Sequence, residues 1–359
     1  MPEAERQKIR LVLSPQAQKY ANRKAPREAR LMAARGALPL PPLDLATVLF
    51  ALMHDEDAEV KTRARESLEG LPDGVLDPVL EGDAHPALLS HLANAFRENE
   101  SHCEKLALNA ACDDATIALL ATLPSKRVVD IVSANQERMM RAPEIVDALG
   151  GNPLTGRAVI DRILSFLGMD APDADRDDID EGPISDSDAE AALRAVLGDD
   201  LGKFARSLVE ERDADGELDE EAATNLYALI QQMSVFQKIK LARLGNAEAR
   251  SLLVRDRNKV VAVAAVSSPK IGDQEIVSFA QSRNVSDEVL RLISNNRQWT
   301  RNYQVKLALA TNPKTPQPTA MKFVNFLQDN DLRMIVKSKD VPSAVSTHAR
   351  RILMKKGKL

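Results

Sequence analysis

Along most of the chain apolar residues recur every three or four positions, the spacing that gathers them on one face of a helix. In the run 157–167, Val159, Ile160, Ile163, Leu164 and Leu167 share a face, while Arg157, Asp161, Arg162 and Ser165 share the other. Asp57 precedes a stripe of Val60, Ala64, Leu68 and Leu71, so its carboxylate is placed to cap a helix that Pro72 stops. Segments of this kind run about three turns and are separated by Pro, Gly, Asn or Asp. The pattern predicts an all-α chain of stacked helical hairpins.

A self-comparison sharpens this. Residues 258–271, NKVVAVAAVSSPKI, align without gaps on residues 302–315, NYQVKLALATNPKT, 44 positions later. Asn258 matches Asn302, Val261 matches Val305, Ala264 matches Ala308, Pro269 matches Pro313 and Lys270 matches Lys314. Weaker echoes stand at Asn152-Pro153 and at Pro342. In each copy a helix rich in Ala or Val runs into a proline, which ends it and whose fixed φ suits the opening of the next. A hairpin this short cannot cover its own apolar face, so copies must stack, and a period near 40 residues indicates an α-solenoid.

The run 57–68, D-A-E-V-K-x-x-A-x-x-S-L, resembles the second helix of a HEAT repeat. NPKTP at 312–316 and NPLT at 152–155 resemble the helix junctions of leucine-rich-repeat-variant proteins. The longer stretches 30–50 and 238–256 are similar to uncharacterised bacterial HEAT-like repeat proteins. The resemblance covers about two-thirds of the chain and implies an α-solenoid of HEAT-like hairpins. It is nearly silent on function, because folds of this type carry many activities. One variant-repeat relative holds an iron–sulfur cluster, but two cysteines cannot supply its ligands, so no cofactor is carried over.

Charge divides the chain. From Lys238 to Leu359 there are 23 Lys and Arg against 9 Asp and Glu, whereas residues 170–221 hold 20 acidic and 5 basic side chains. The stretch 168–188, GMDAPDADRDDIDEGPISDSD, offers little apolar surface and many like charges. The expected organisation is therefore N-terminal helical repeats over 1–168, an acidic flexible linker over 169–190 and basic C-terminal repeats over 191–359, the alternative being that the acidic stretch is a long surface loop on one continuous domain. The arm 1–35 reads as a basic helix, docked or free. The longest apolar run, Leu45 to Met53, is half of what a membrane span needs, and the N-terminus lacks an export pattern, which points to the cytoplasm.

Candidate chemistry is sparse. Cys103 and Cys112, with His91 and His102, are the one Cys/His grouping, and they lack zinc spacing; Cys112 among alanines reads as a small core residue. Glu211, Asp213, Asp215 and Gly216 resemble the start of a calcium loop, but Ala222 occupies the position of the closing carboxylate. That favours a solvated acidic turn between helices at 201–210 and 220–233. No phosphate-cradling or nucleophile motif occurs.

The most functional-looking stretch is 295–306, NNRQWTRNYQVK. It holds the single tryptophan, Trp299, and Tyr303 four residues on, interleaved with Arg297, Arg301 and Lys306. Rings beside guanidinium groups can stack on bases or grip an acidic peptide. The bland alternative is a large side chain that fills a gap between repeats. The tail adds Arg350, Arg351, Lys355, Lys356 and Lys358.

Three functional expectations follow. The first is a non-enzymatic cytoplasmic scaffold or adaptor that holds a protein partner on a concave repeat surface. The second is nucleic-acid binding through the basic half, with the acidic segment as autoinhibitor. The third is an enzyme of the HEAT-like DNA glycosylase kind, which would need an acid such as Asp256 or Asp329 inside a basic groove beside an aromatic ring.

Overall fold

The computed structural model describes residues 11, 13–22, 25–168, 185–210 and 220–358; the calcium-loop-like turn and the run 169–184 lie outside them. Among the described residues the only regular structure is helical. The chain forms two compact units, Met1–Leu154 and Thr155–Leu359. The first comprises α1 Pro15–Ala21, α2 Arg27–Ala34, α3 Pro42–Leu52, α4 Ala58–Glu69, α5 Asp73–Glu81, α6 Pro86–Ala95, α7 Glu100–Leu108, α8 Asp114–Ala121, α9 Lys126–Ala134, α10 Gln136–Arg141 and α11 Pro143–Gly151. The second comprises α12 Arg157–Phe166, α13 Asp186–Gly202, α14 Ala205–Val209, α15 Glu220–Gln232, α16 Val235–Leu244, α17 Ala247–Leu253, α18 Lys259–Val266, α19 Asp273–Gln281, α20 Asp287–Asn295, α21 Tyr303–Thr311, α22 Gln317–Val324, α23 Asp329–Lys337 and α24 Ser343–Lys355.

Within each unit a helix packs on the helix two places further along the chain, so two rows grow side by side. In the first unit α1, α3, α5, α7 and α9 form one row, while α2 meets α4, α6 meets α8 and α8 meets α11. In the second, α16, α18 and α20 follow one another, as do α17, α19 and α21, and α22 meets α24. The α-solenoid-like, all-α fold expected from the periodicity is thus present. Helix α18 sits in the middle of its row with Val260 to Val266 all buried, as expected of a helix apolar on every side. Elsewhere the stripes are narrower: Val60, Ala64 and Leu68 are buried on α4, whose first turn Asp57 caps by accepting the Glu59 and Val60 amides.

Several expectations shift. Helix α12, placed by the sequence with the N-terminal half, packs on α18 of the second unit. Residues 186–190, expected in a flexible linker, are the opening of α13; Ser185 caps it, and Asp186 and Asp188 stand in the first turn, where the helix dipole favours carboxylates. The helix expected over 201–210 is interrupted at Lys203 and Phe204: α13, itself kinked at Gly198 (φ 71°), ends at Gly202, and α14 is a separate short helix. From residue 15 the basic arm is docked as α1 and α2, with Arg27 paired to Asp57 and Glu59 and Arg30 paired to the buried Asp55.

The prolines of the repeat also do something other than open the next helix. Pro153, Pro269 and Pro313 each follow a buried polar residue and stand four positions before the next helix begins. That preceding residue ties successive helices of a row together. Asn312, just past α21, donates its amide group to the carbonyls of Ala280 (2.8 Å) and Ser282 (2.9 Å) at the end of α19, while its own oxygen accepts from the Lys314 amide (2.9 Å). Asn152, past α11, does the same to Ala121 (2.7 Å) and Leu123 (2.8 Å) at the end of α8, and Asn109, past α7, to Leu80 (2.6 Å) and Gly82 (2.9 Å) at the end of α5. Asn246 bonds to Ser207 and Glu210 in the same manner, and Ser268, the counterpart of Asn312 in the repeat, reaches Arg243 O at 2.7 Å. The last carbonyls of a helix have no partner within it, so each clamp satisfies groups whose burial would otherwise be costly.

Replacing Asn312 by Ala should therefore destabilise the protein by about 2–4 kcal/mol, the penalty for two stranded carbonyls. Gln304→Ala, at an exposed position, should stay within about 0.5 kcal/mol. Urea unfolding measures both, and equal midpoints for the two variants would refute the clamp.

Candidate functional site

The stretch flagged from the sequence begins where α20 ends. Asn296 accepts the amides of Gln298 (2.9 Å) and Trp299 (3.2 Å), and the Thr300 hydroxyl donates to Asn296 O at 2.8 Å, which winds residues 299–301 into one 3-10 turn. Asn302 then caps α21 by accepting the Gln304 amide.

The five side chains divide. Trp299 is half-buried, neither core nor fully displayed. Tyr303 is committed to the fold: its hydroxyl donates to Asp331 and accepts the Gln328 amide at 3.0 Å, so it docks the first turn of α21 on the start of α23. Burial, and then the Asp331 carboxylate, raise its pKa. Lys306 holds its ammonium 5.8 Å from the centre of the Phe326 ring. Arg297 and Arg301 are exposed and have no carboxylate partner among the described residues.

Phe326 was missed, although a signal existed. Ala320, Phe323, Val324 and Leu327 make the buried stripe leading out of α22, and Phe326 falls off its phase; it is 58% exposed. An aromatic ring out of register with the stripe must face water unless another element covers it.

The surrounding electrostatics follow from where the carboxylates went. In the second unit Asp256 pairs with Lys238, Glu275 with the buried Arg250, Asp340 with Arg283, and Asp329 with both Lys356 and Lys358. Exposed cations without a carboxylate partner among the described residues remain, such as Arg255, Arg257, Lys337, Lys339, Arg350 and Arg351. Two of the five tail cations, Lys356 and Lys358, are thus spent inside the chain. A groove of about 270 Å³ lies close by, between the ends of α19, α21 and α23, walled by Leu307, Thr311, Met334, Ile335 and Val341.

The acids considered for glycosylase-type chemistry are committed elsewhere. Asp256 accepts the Asn258 amide at 2.8 Å besides its lysine, and the two lysines on Asp329 hold its carboxyl down to about 2. The Cys/His grouping does not converge either. His102 faces Asp73 at 3.2 Å and His91 faces Glu69 at 3.5 Å, and among the described residues no group of three or more His, Cys, Asp or Glu could hold a metal ion. Burial pushes the Cys103 thiol up to about 11 and the Cys112 thiol to about 12.

No protein-family model, no curated protein and no solved structure matches the chain.

Two measurements probe this electrostatic account. Asp329 has a folded pKa of about 2 against an ordinary 3.8, so the folded state takes up its proton less readily than the unfolded chain. Its contribution is present above about pH 4 and lost as the pH falls toward 2. Carboxyl-carbon NMR should show that late titration, and a midpoint near 3.8 would disprove the lysine clasp. The thiols should react with a disulfide reagent at pH 8 at least ~100-fold more slowly in the native protein than in denaturant, because the thiolate is the attacking form. Comparable rates in both states would contradict their burial.

Proposed function

We propose that this protein is a non-catalytic, cytoplasmic helical-repeat binding protein and that its second unit holds nucleic acid. The observation that carries the reading is the uneven pairing of charge in that unit. Many of its described carboxylates are drawn into ion pairs and caps, while Arg255, Arg257, Arg297, Arg301, Lys337 and Lys339 are exposed and have no carboxylate partner among the described residues. Cations left in this state attract a polyanion and release its counterions on contact. The absence of free, mutually facing acid and base groups at the flagged stretch supports binding over catalysis.

A protein partner is the second reading, supported by the apolar groove beside Met334, which is 61% exposed. An adaptor of that kind would seat an aliphatic side chain of its partner against Leu307 and Val341.

Titration of the full chain with labelled DNA and RNA at increasing salt decides between them. Nucleic-acid binding predicts measurable affinity at about 50 mM salt that falls steeply, with a log–log slope of about −3 if four phosphates are neutralised. Lys337→Glu with Lys339→Glu should flatten that slope. Absence of binding at about 50 mM would remove the nucleic-acid reading and leave the adaptor.

A further inference from the structure

The nucleic-acid reading leaves open which form of nucleic acid is bound and where. The first turn of α21 is fixed against the loop between α22 and α23 by two contacts, Tyr303 on Gln328 and Lys306 on Phe326. Phe326 at that point is an exposed ring, and the 3-10 turn that packs on α21 carries a half-buried indole, Trp299. Arg301, at the residue before the α21 cap, is exposed and unpaired, and Arg297 lies one turn earlier. The positive end of the α21 dipole adds to the same potential. Of the two carboxylates at the start of α23, Asp329 is paired with two lysines, while Asp331 is held on the Tyr303 hydroxyl and keeps its charge.

We propose that Phe326, Lys306, Arg301 and Trp299 form a binding site for single-stranded nucleic acid, with a base stacked on the Phe326 ring and phosphates on the flanking cations. Each component has a distinct task. A ring takes any base, because every base has a π-face, and the cations track the backbone. The Lys306 ammonium steadies the ring from one side through a cation–π contact and keeps its charge for a phosphate, since no carboxylate neutralises it. A duplex keeps its base faces stacked internally and offers the ring nothing, so the site distinguishes single from double strands. An acidic peptide satisfies the cations alike but has no flat face for Phe326. The site rests on the nucleic-acid reading above, and the test separates the failure of one from the failure of the other.

The experiment is fluorescence anisotropy on the full chain with a labelled oligothymidine of about 15 nucleotides, the same length of duplex, and polyglutamate, at about 50 mM salt. The single strand should bind most tightly and should quench the emission of Trp299, the one tryptophan in the chain. Phe326→Ala should weaken single-strand binding about 10-fold, the scale of one base–ring stack, and Phe326→Trp should restore it. Arg301→Glu should weaken it further and lower the salt slope. Phe326 is a surface side chain, so the variant's thermal unfolding serves as the check that it folds. A wild-type chain that binds no nucleic acid overturns the nucleic-acid reading and the site together. Single-strand affinity unchanged in Phe326→Ala, or polyglutamate bound as tightly as the oligonucleotide, overturns the stacking site alone.

Discussion

What holds each stack in register is a single side-chain amide turned toward the end of another helix. A short helix exposes its last carbonyls, and when helices pile on one another those ends are buried, where water cannot reach them. Asn109, Asn152 and Asn312 solve this with the same geometry: two amide hydrogens forward to a pair of carbonyls two residues apart, one oxygen back to the loop that bears them. Few residues could substitute. Aspartate has no hydrogen to donate, glutamine places the amide one carbon too far, and serine supplies one donor, as Ser268 does with Arg243. Where a loop offers more carbonyls than one amide can serve, a buried guanidinium joins in: Arg138 donates to Asn109 O, Ala110 O and Cys112 O.

This explains what could and could not be read from the sequence. Helical periodicity is local, so the stripes on α4 and α12 were legible residue by residue, and the 44-residue echo showed that copies stack. The Asn-Pro junction was visible too, yet its meaning was not, because the carbonyls Asn312 serves lie about thirty residues earlier and carry no side-chain signature. The role given to the proline was accordingly misplaced by a few residues. For the flagged stretch, Trp299 and the two arginines announced themselves through composition, whereas the loss of Tyr303 to Asp331 depends on a contact 28 positions away. Phe326 is the reverse: the phase of the helix before it marked it as solvent-facing, but its significance appears only once Lys306 is seen beside it.

The charge asymmetry of the chain acquires a physical form in the same way. A formal excess of basic residues says nothing of where fields are strong. In the second unit the acids are placed at helix starts and in loops, where they cap amides and pair with neighbouring lysines, so folding neutralises them selectively. Asp329 illustrates the point: positioned in the first turn of α23, it gains from the helix dipole and from Lys356 and Lys358 together. Among the described residues, folding leaves a set of arginines and lysines on outward faces without a carboxylate partner. Surface potential is the remainder after such pairing, which is why Arg297 and Arg301 matter more than Lys356 and Lys358 of equal formal charge.

Whether acidic residues nearby could mask that remainder is a question of magnitude. Within the described part of the acid-rich region, Glu190 pairs with Arg194 and Glu210 with Arg206, both one turn away on their own helices. Only Asp186 reaches into the repeats, to Lys270, and its side chain is 63% exposed. An exposed pair of this sort contributes at most about 1 kcal/mol and is weakened further by salt. A strand that neutralises several phosphates gains more than that from counterion release at low ionic strength. Masking by the described acids is therefore too weak to close the surface around Phe326 against a polyanion, and Lys270, not the flagged stretch, is where their influence falls.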